Sequence, residues 1–249
     1  YAAIATSYWA KSDYIQSQES YQQAAVIFEK LGLLLDVAQV YSSLAAVTYA
    51  QREYDKTLTY YQRALTYLDK EKNQERTLLK RNEVLVSMAM TYSIKGDRKK
   101  AIELYTRAAD GFRSQKNDEQ LLNTLLLLAD LYAFENSDNE VVKLFYEADD
   151  ICYKTGNKLF LARNLKHHAL YHEQRKEFDK SIQYAKKSAT LFESENEWGE
   201  LGLAKCTIGR ILMESVQAND GKVVAGVADK NNTLAEAIAN IQQGIQIAK

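Results

Sequence analysis

A small residue returns at a nearly fixed interval along the whole chain. These residues, separated by steps of 40, 44, 40, 40 and 40, are Ala5, Ala45, Ala89, Ala129, Ala169 and Gly209. Larger apolar residues surround each of them at spacings of three and four, which is the spacing of one face of an amphipathic helix. A unit repeated at such a period predicts an array of stacked helical units rather than a domain built around one central core.

The stretch Tyr41–Leu68 shows the repeated unit most clearly. It reads as two amphipathic helices separated by the polar residues Arg52, Glu53 and Asp55. The residues that share one face of each helix are Tyr41, Leu44, Ala45 and Thr48, then Thr57, Leu58, Tyr61, Ala64 and Leu65. Small residues among them allow two helices to cross closely. Each copy is therefore predicted to be a helix–turn–helix hairpin that buries its apolar face against a neighbour like itself.

Two segments, TYSIKGDRKKAIELYTRAA at Thr91–Ala109 and REYDKTLTYYQRAL at Arg52–Leu65, carry a family resemblance. Both resemble the tetratricopeptide repeat, with its small residue in the first helix and its small–aromatic–small series in the second. The resemblance implies an all-α fold, a right-handed superhelical solenoid of about six such repeats. The chain departs from the family in its longer period, in its lack of proline, and in His168 and His172 at usually apolar positions.

We expect a single array over residues 1–249, with repeats near 1–35, 36–76, 77–117, 118–157, 158–198 and 199–249. A longer turn over Asp69–Lys80 would explain the step of 44, and Gly156 and Gly199 are expected to end helices. The stretch 217–232 breaks the pattern and has no aromatic residue, so we expect an inserted loop there. Because the chain opens inside a helix without Met, we expect it to be part of a longer protein.

Composition narrows the classes of partner. The formal net charge is −1, so overall charge does not favour nucleic acid or an anionic membrane. No run of apolar residues is long enough to predict a membrane span. Two cysteines are too few for a disulfide framework and favour a reducing, cytoplasmic location. We therefore expect protein or peptide partners, no membrane, nucleic acid unlikely for this region, and homodimerisation through the end repeats as an option.

Catalytic patterns are scarce. The three histidines are His167, His168 and His172, of which the last two would share a helix face beside Glu173. Their spacing suits two zinc ligands, although a third and a fourth ligand are not apparent. Neither a phosphate-binding loop nor a nucleophile elbow is present. We expect no enzymatic activity, no cofactor and no metal.

The resemblance also implies which residues line the concave surface, because first helices form that wall in the family. We expect the partner-binding residues to be Glu83, Met90, Asn123, Leu127, Asp130, Arg163, Lys166, His167 and Arg210. The amide of Asn123 could hold a peptide backbone. Arg163, Lys166 and Arg210 form a cationic cluster suited to a carboxylate. An apolar anchor could be received by Leu126, Leu127, Val86 and Met90.

These expectations favour a non-catalytic module that binds a peptide or protein segment in the concave groove. The longer repeat is similar to that of peptide sensors of the Rap and PlcR type and of MalT-type regulators, which suggests the sensor domain of a bacterial regulator. The alternative is an assembly scaffold that binds larger proteins through its outer face or ends; the longer repeat is also similar to that of scaffold proteins such as the kinesin light chains. A metal-binding protein is the third possibility, and it rests on the histidines alone.

Overall fold

The computed structural model describes residues 1–218 and 230–247, and helices joined by short turns account for this part of the chain. The helices are α1 Ala2–Ala10, α2 Tyr14–Lys30, α3 Leu34–Ala50, α4 Tyr54–Lys70, α5 Gln74–Ile94, α6 Arg98–Ser114, α7 Asp118–Phe134, α8 Asp138–Thr155, α9 Lys158–Gln174, α10 Phe178–Ser194, α11 Trp198–Ala218 and α12 Lys230–Ile247. The described residues contain no strand. The predicted all-α class of helix–turn–helix repeats is confirmed.

The helices group into two compact units, Tyr1–Thr124 and Leu125–Lys249. The boundary falls inside α7. Within each unit, helices that follow one another in sequence pack side by side, as in the pairs α3/α4 and α11/α12. None of the described helices is long and apolar enough to cross a membrane. The single continuous array and its six repeat boundaries stay a prediction.

The four extra residues of the third copy lie in a helix and not in a turn. Helix α5 has 21 residues, whereas α3, α4 and α6 each have 17. Only residues 71–73 separate α4 from α5, so the predicted long turn Asp69–Lys80 is wrong. Asn73 explains the early start of α5, because its side chain accepts a hydrogen bond from the backbone N–H of Arg76 at 3.2 Å.

The two glycines expected to end helices behave differently. Gly156 caps α8 in the left-handed conformation with φ of 68°, as predicted. Gly199 lies within the first turn of α11, so its predicted role is wrong. Both flanks of the predicted insertion at 217–232 are helical. Helix α11 extends to Ala218, and α12 begins at Lys230. Residues 219–229 lie outside the described residues, and a loop there stays a prediction.

The periodic small residues lie where the two helices of a hairpin cross. Ala5, Ala45, Ala89 and Ala169 have no exposed surface. The Ser17 hydroxyl donates to the carbonyl oxygen of Ala5 at 2.9 Å, and the Ser181 hydroxyl donates to that of Ala169 at 2.7 Å. A larger side chain at these positions would hold the helices apart and would break those contacts. The small residues therefore set the distance between the helices of each hairpin.

Gly209 provides the strictest case. A Cβ atom at Gly209 would lie 2.5 Å from Cγ1 of Ile241 and 2.7 Å from the carbonyl oxygen of Ala237, both in α12. We expect Gly209→Ala to lower the free energy of unfolding by about 1–3 kcal/mol, because the helices must separate or side chains must leave their preferred rotamers. Urea denaturation of the purified chain measures this change.

Gly199→Ala is the matched control. This helical glycine has open space around its Cβ position, so alanine there should be neutral or stabilising by up to about 1 kcal/mol. Equal effects of the two substitutions would show that the crossing at Gly209 is not close.

Candidate functional site

The first unit contains a groove formed by the first helices of two successive hairpins. Its cavity of about 250 Å³ is lined by Gln39, Ser42, Ser43 and Ala46 of α3, Tyr61 of α4, and Lys80, Glu83, Val84 and Ser87 of α5. Most of these side chains are polar but uncharged. Lys80 and Glu83 form an ion pair of 3.0 Å along one edge. Of the nine residues predicted to bind a partner, Glu83 lines this groove.

Two other predicted residues of the first unit are accessible. Met90, near the end of α5, is exposed to solvent, and so is Asn123 on α7. The accessibility of both residues agrees with a role in binding, and that role stays a prediction.

In the second unit, predicted binding residues pair with one another or with neighbouring carboxylates. The Nδ1 atom of His167 on α9 lies 3.0 Å from Oδ1 of Asp130 on α7. The ammonium of Lys166 lies 2.9 Å from Oε2 of Glu200 at the start of α11. Each pair joins the first helices of successive hairpins. A peptide that used any of these groups would have to displace an existing contact.

Arg210 forms the strongest of these contacts. Its guanidinium makes a two-pronged ion pair with Glu173, in which Nη2 donates to Oε2 at 2.9 Å, and Nη1 also donates to Glu214 at 3.1 Å. These carboxylates raise the pKa of Arg210. The Glu173 side chain is only 9% exposed, whereas that of Arg210 is 48% exposed. The guanidinium therefore neutralises a nearly buried carboxylate.

The predicted cationic cluster is consequently not a set of three free cations. Lys166 and Arg210 are already neutralised, whereas Arg163 forms no ion pair within the described residues. The Arg163 guanidinium carbon lies 5.5 Å from the centre of the Phe160 ring. Capture of a carboxylate by this cluster stays a prediction, with Arg163 as its most available member.

One expectation about the apolar part of the wall is wrong. Leu126 is 7% exposed and packs in the core with Val141 and Phe145 of α8, so it is not available as an anchor site. It directly precedes Leu127, which is half-buried and stays a predicted contact. On a helix, a shift of one residue turns a side chain by about 100°, so the repeat alignment alone did not separate the two leucines.

A buried polar cluster lies between α8 and α9. Asn164 donates through Nδ2 to Oδ1 of Asp149 at 2.8 Å and to the carbonyl oxygen of Phe145 at 3.1 Å. The Nε2 atom of His168 lies 3.6 Å from Oδ2 of Asp149. Asn164 is 1% exposed and His168 is 5% exposed. Charge and hydrogen-bonding groups thus replace part of the apolar contact between these two helices.

The rings of His168 and His172 both stack on one tyrosine. The centre of the Tyr184 ring lies 4.6 Å from that of His168 and 5.3 Å from that of His172. His172 also contacts Oε2 of Glu177 through Nδ1 at 2.8 Å. Burial lowers the pKa of His172, and this effect outweighs the opposite effect of Glu177. Lys180 and His172 hold the pKa of Glu177 below its usual value.

No group of three or more His, Cys, Asp or Glu side chains in the described ranges could hold a metal ion. Both cysteines are free thiols. Cys152 is buried, and desolvation together with the charge of Asp149 raises the pKa of its thiol to about 12. Such a thiol stays protonated near neutral pH and is a poor nucleophile.

The polar cluster leaves a signal in the sequence that is visible only when equivalent positions of different junctions are compared. Asp149, Asn164 and His168 align, in the repeat register, with Ala25, Val40 and Leu44 at one junction and with Ala189, Ala204 and Ile208 at another. Those six residues are buried and apolar. Polar residues at all three of these positions therefore distinguish the α8–α9 junction from the other two.

Comparisons with known proteins identify the type of fold. No protein-family model matches the sequence, and no curated protein matches it either. The structure is similar to BtubC (BKLC) from P. vanneervenii, with a TM-score of 0.74, 13% identity, and coverage of 94% of this chain and 90% of that one. It is also similar to PH0952 of Pyrococcus horikoshii, a STAND protein with a tetratricopeptide repeat sensor, with a TM-score of 0.66, 14% identity, and coverage of 99% and 40%.

A third similar structure is the Rap conjugation gene regulator of the plasmid pLS20 in complex with the Phr* peptide. Its TM-score is 0.56 and its identity 17%, with coverage of 100% of this chain and 63% of that one. The chain has a tetratricopeptide-like repeat fold. At these identities the similarity establishes the fold alone, and it confirms the resemblance seen in the repeats.

The pKa of His172 predicts a pH dependence of stability. Its folded-state pKa lies below its ordinary value of 6.5, so the unfolded chain binds the proton first as pH falls. Stability from this residue is complete above about pH 7 and decreases as pH falls through about 6.5. Thermal unfolding followed by circular dichroism between pH 5.5 and 7.5 measures this loss, which His172→Gln should reduce.

His167→Gln is the control on the same helix, and it should retain the loss that His172 causes. Glu177 and Asp138 have lowered pKa values, so they affect the pH dependence of stability only in a separate range below about pH 4.5. An unchanged pH dependence in the His172→Gln variant would contradict the assignment.

Removal of Arg210 should test the ion pair with Glu173. Arg210→Ala leaves a nearly buried carboxylate without its partner, so we expect a loss of about 1–3 kcal/mol in urea denaturation. Lys143→Ala removes the exposed pair with Glu140, and it should cost about 0–1 kcal/mol. If Arg210→Ala costs no more than this control, the contact is only a surface pair.

Proposed function

We propose that the chain is a non-catalytic module that binds an extended peptide or protein segment along its first helices. The observation that carries the proposal is the groove between α3 and α5, with its cavity of about 250 Å³ and its mostly uncharged polar lining. A groove of this kind fits a segment of backbone better than it fits a charged small molecule, because it presents hydrogen-bonding groups without a strong local field.

The hydroxyls of the groove have free capacity to accept hydrogen bonds. Ser42 donates to the carbonyl oxygen of Ala38 at 3.0 Å, and Ser87 donates to that of Glu83 at 3.0 Å. Each hydroxyl oxygen retains lone pairs, which can accept the N–H groups of a peptide. The side-chain amide of Gln39 can donate and accept at once. These groups would bind main chain without selecting a charged side chain.

The comparisons with structures of low sequence identity give this proposal indirect support. The pLS20 Rap regulator was solved with a peptide, and PH0952 carries a repeat array described as a sensor. A sensor domain of a bacterial regulator, acting in signalling in the cytoplasm, is the more specific form of the proposal. Protein or peptide partners fit it. Asn123 is a further proposed contact in the first unit, and Leu127 and Arg163 are proposed contacts within the second unit.

An assembly scaffold is the second candidate, and exposed aromatic side chains on α8 favour it. Tyr146 and Tyr153 are 64% and 71% exposed, although they belong to a second helix and lie outside the groove. Exposed aromatic residues on one helix are typical of protein interfaces. Such an interface could join a larger protein or a second copy of the chain.

A substitution that fills the groove tests the first candidate. Ala46 lines the cavity and is exposed, so Ala46→Arg should occupy the space while leaving the helix core intact. Peptides selected from a random linear library against the wild-type chain provide the probe. We expect Ala46→Arg to weaken the best selected peptide at least about tenfold, measured by fluorescence anisotropy.

Ala50→Arg is the matched control, because Ala50 is exposed one turn later on the same helix and does not line the cavity. It should bind the selected peptide as the wild-type chain does. Equal binding by both variants would contradict the groove proposal. Loss of binding in Tyr146→Ala with no effect of Ala46→Arg would support the scaffold interpretation.

A further inference from the structure

The junction between α8 and α9 differs in chemistry from the α2–α3 and α10–α11 junctions. At the α10–α11 junction the corresponding residues Ala189, Ala204 and Ile208 make an apolar contact. Burial of a carboxylate, an amide and an imidazole costs free energy unless their polar atoms find partners. Stability alone therefore does not explain Asp149, Asn164 and His168, since apolar residues serve the same position elsewhere in this chain.

Within the described part of the chain, two side-chain atoms of this cluster have no hydrogen-bond partner. They are Oδ1 of Asn164 and Nε2 of His168, and both are buried without a hydrogen bond. Both atoms belong to side chains that are at least nine-tenths buried, and each of these side chains contacts Asp149, Asn164 through Nδ2 and His168 through Nε2. An amide oxygen and an imidazole nitrogen are also two of the donor types that bind metal ions.

The distance between His168 and Asp149 suits two ligands of one metal ion. Zinc ligands at about 2.0–2.2 Å in a tetrahedral arrangement lie about 3.3–3.6 Å apart. The distance between Nε2 of His168 and Oδ2 of Asp149 is 3.6 Å. It is too long for a hydrogen bond but suitable for two atoms that share one ion.

Neighbouring groups hold these ligands in place. Asn164 donates to Oδ1 of Asp149 at 2.8 Å, which leaves Oδ2 directed towards His168. The His168 ring lies between the rings of Phe145 and Tyr184, at centroid distances of 4.2 and 4.6 Å. Such supporting contacts orient metal ligands in proteins. The Asp149 side chain is 17% exposed, which provides a path from solvent.

We propose that Asp149, Asn164 and His168 form a binding site for one divalent transition-metal ion, with zinc as the best fit. Oδ2 of Asp149, Nε2 of His168 and Oδ1 of Asn164 supply three protein ligands, and water completes the coordination. The carboxylate neutralises part of the charge of the ion. The site joins the second helix of one hairpin to the first helix of the next, so a bound ion would fasten this junction. This site does not use the His168–His172 spacing considered from the sequence, because His172 binds Glu177.

Isothermal titration of the chain with zinc chloride, after removal of metals with EDTA, tests the proposal. We expect one ion per chain and a melting temperature that rises with zinc concentration. Asp149→Asn and His168→Gln should each weaken binding at least about tenfold, because each removes a ligand. Asp150→Asn and His172→Gln, which change the neighbouring carboxylate and the histidine one turn later on α9, should bind zinc as the wild-type chain does.

A variant with the residues of an apolar junction serves as a folded control that lacks all three ligands. The triple substitution Asp149→Ala, Asn164→Ala and His168→Ile introduces the residues of the α10–α11 junction, which packs well in this chain. It should fold, as judged by circular dichroism, and should bind no zinc at this stoichiometry. Absence of saturable binding to the wild-type chain, or equal binding by the wild-type and triple-variant chains, would overturn the proposal.

Discussion

The close crossing of the two helices within each hairpin is the constraint on which the rest of the structure depends. At each crossing the first helix contributes a residue no larger than alanine, and serine hydroxyls of the second helix reach its carbonyl oxygen in the first and fifth copies. Once these helices are held close, aromatic and aliphatic side chains fill the spaces on either side. Within each unit, the outward-facing positions of the first helices then form a surface with residues from successive copies.

Much of the fold could be predicted from the sequence because this constraint is periodic and local. A residue such as Ala45 or Ala169 cannot be replaced by a larger one without separating the helices, so the pattern persists where other positions vary. The extra residues before Val84 were harder to place. A turn and an additional helical turn have the same length in sequence, and only the capping contact from Asn73 decides between them.

The candidate site could be predicted less well, for a physical reason. The exposed positions of the first helices follow from helical periodicity, and Met90, Asn123 and Asp130 are accessible as expected. The contacts of Lys166 and Arg210 depend on which carboxylate of a neighbouring hairpin lies opposite, and helical periodicity within one copy does not contain that register. The buried cluster at Asp149 shows the same limit, because its residues come from two copies and are unusual only when all junctions are compared.

The packing of sequence neighbours has a consequence for how the chain folds. Within each unit, the closest helix pairs are consecutive in the chain, and turns of two or three residues join them across most of the described part. Chains whose contacts are local in sequence fold quickly, because little loop entropy is lost before contacts form. Hairpins of this kind can nucleate independently and then extend to their neighbours. Nascent chains of this type can therefore acquire native structure from the N-terminus, hairpin by hairpin, while later copies are still being synthesised.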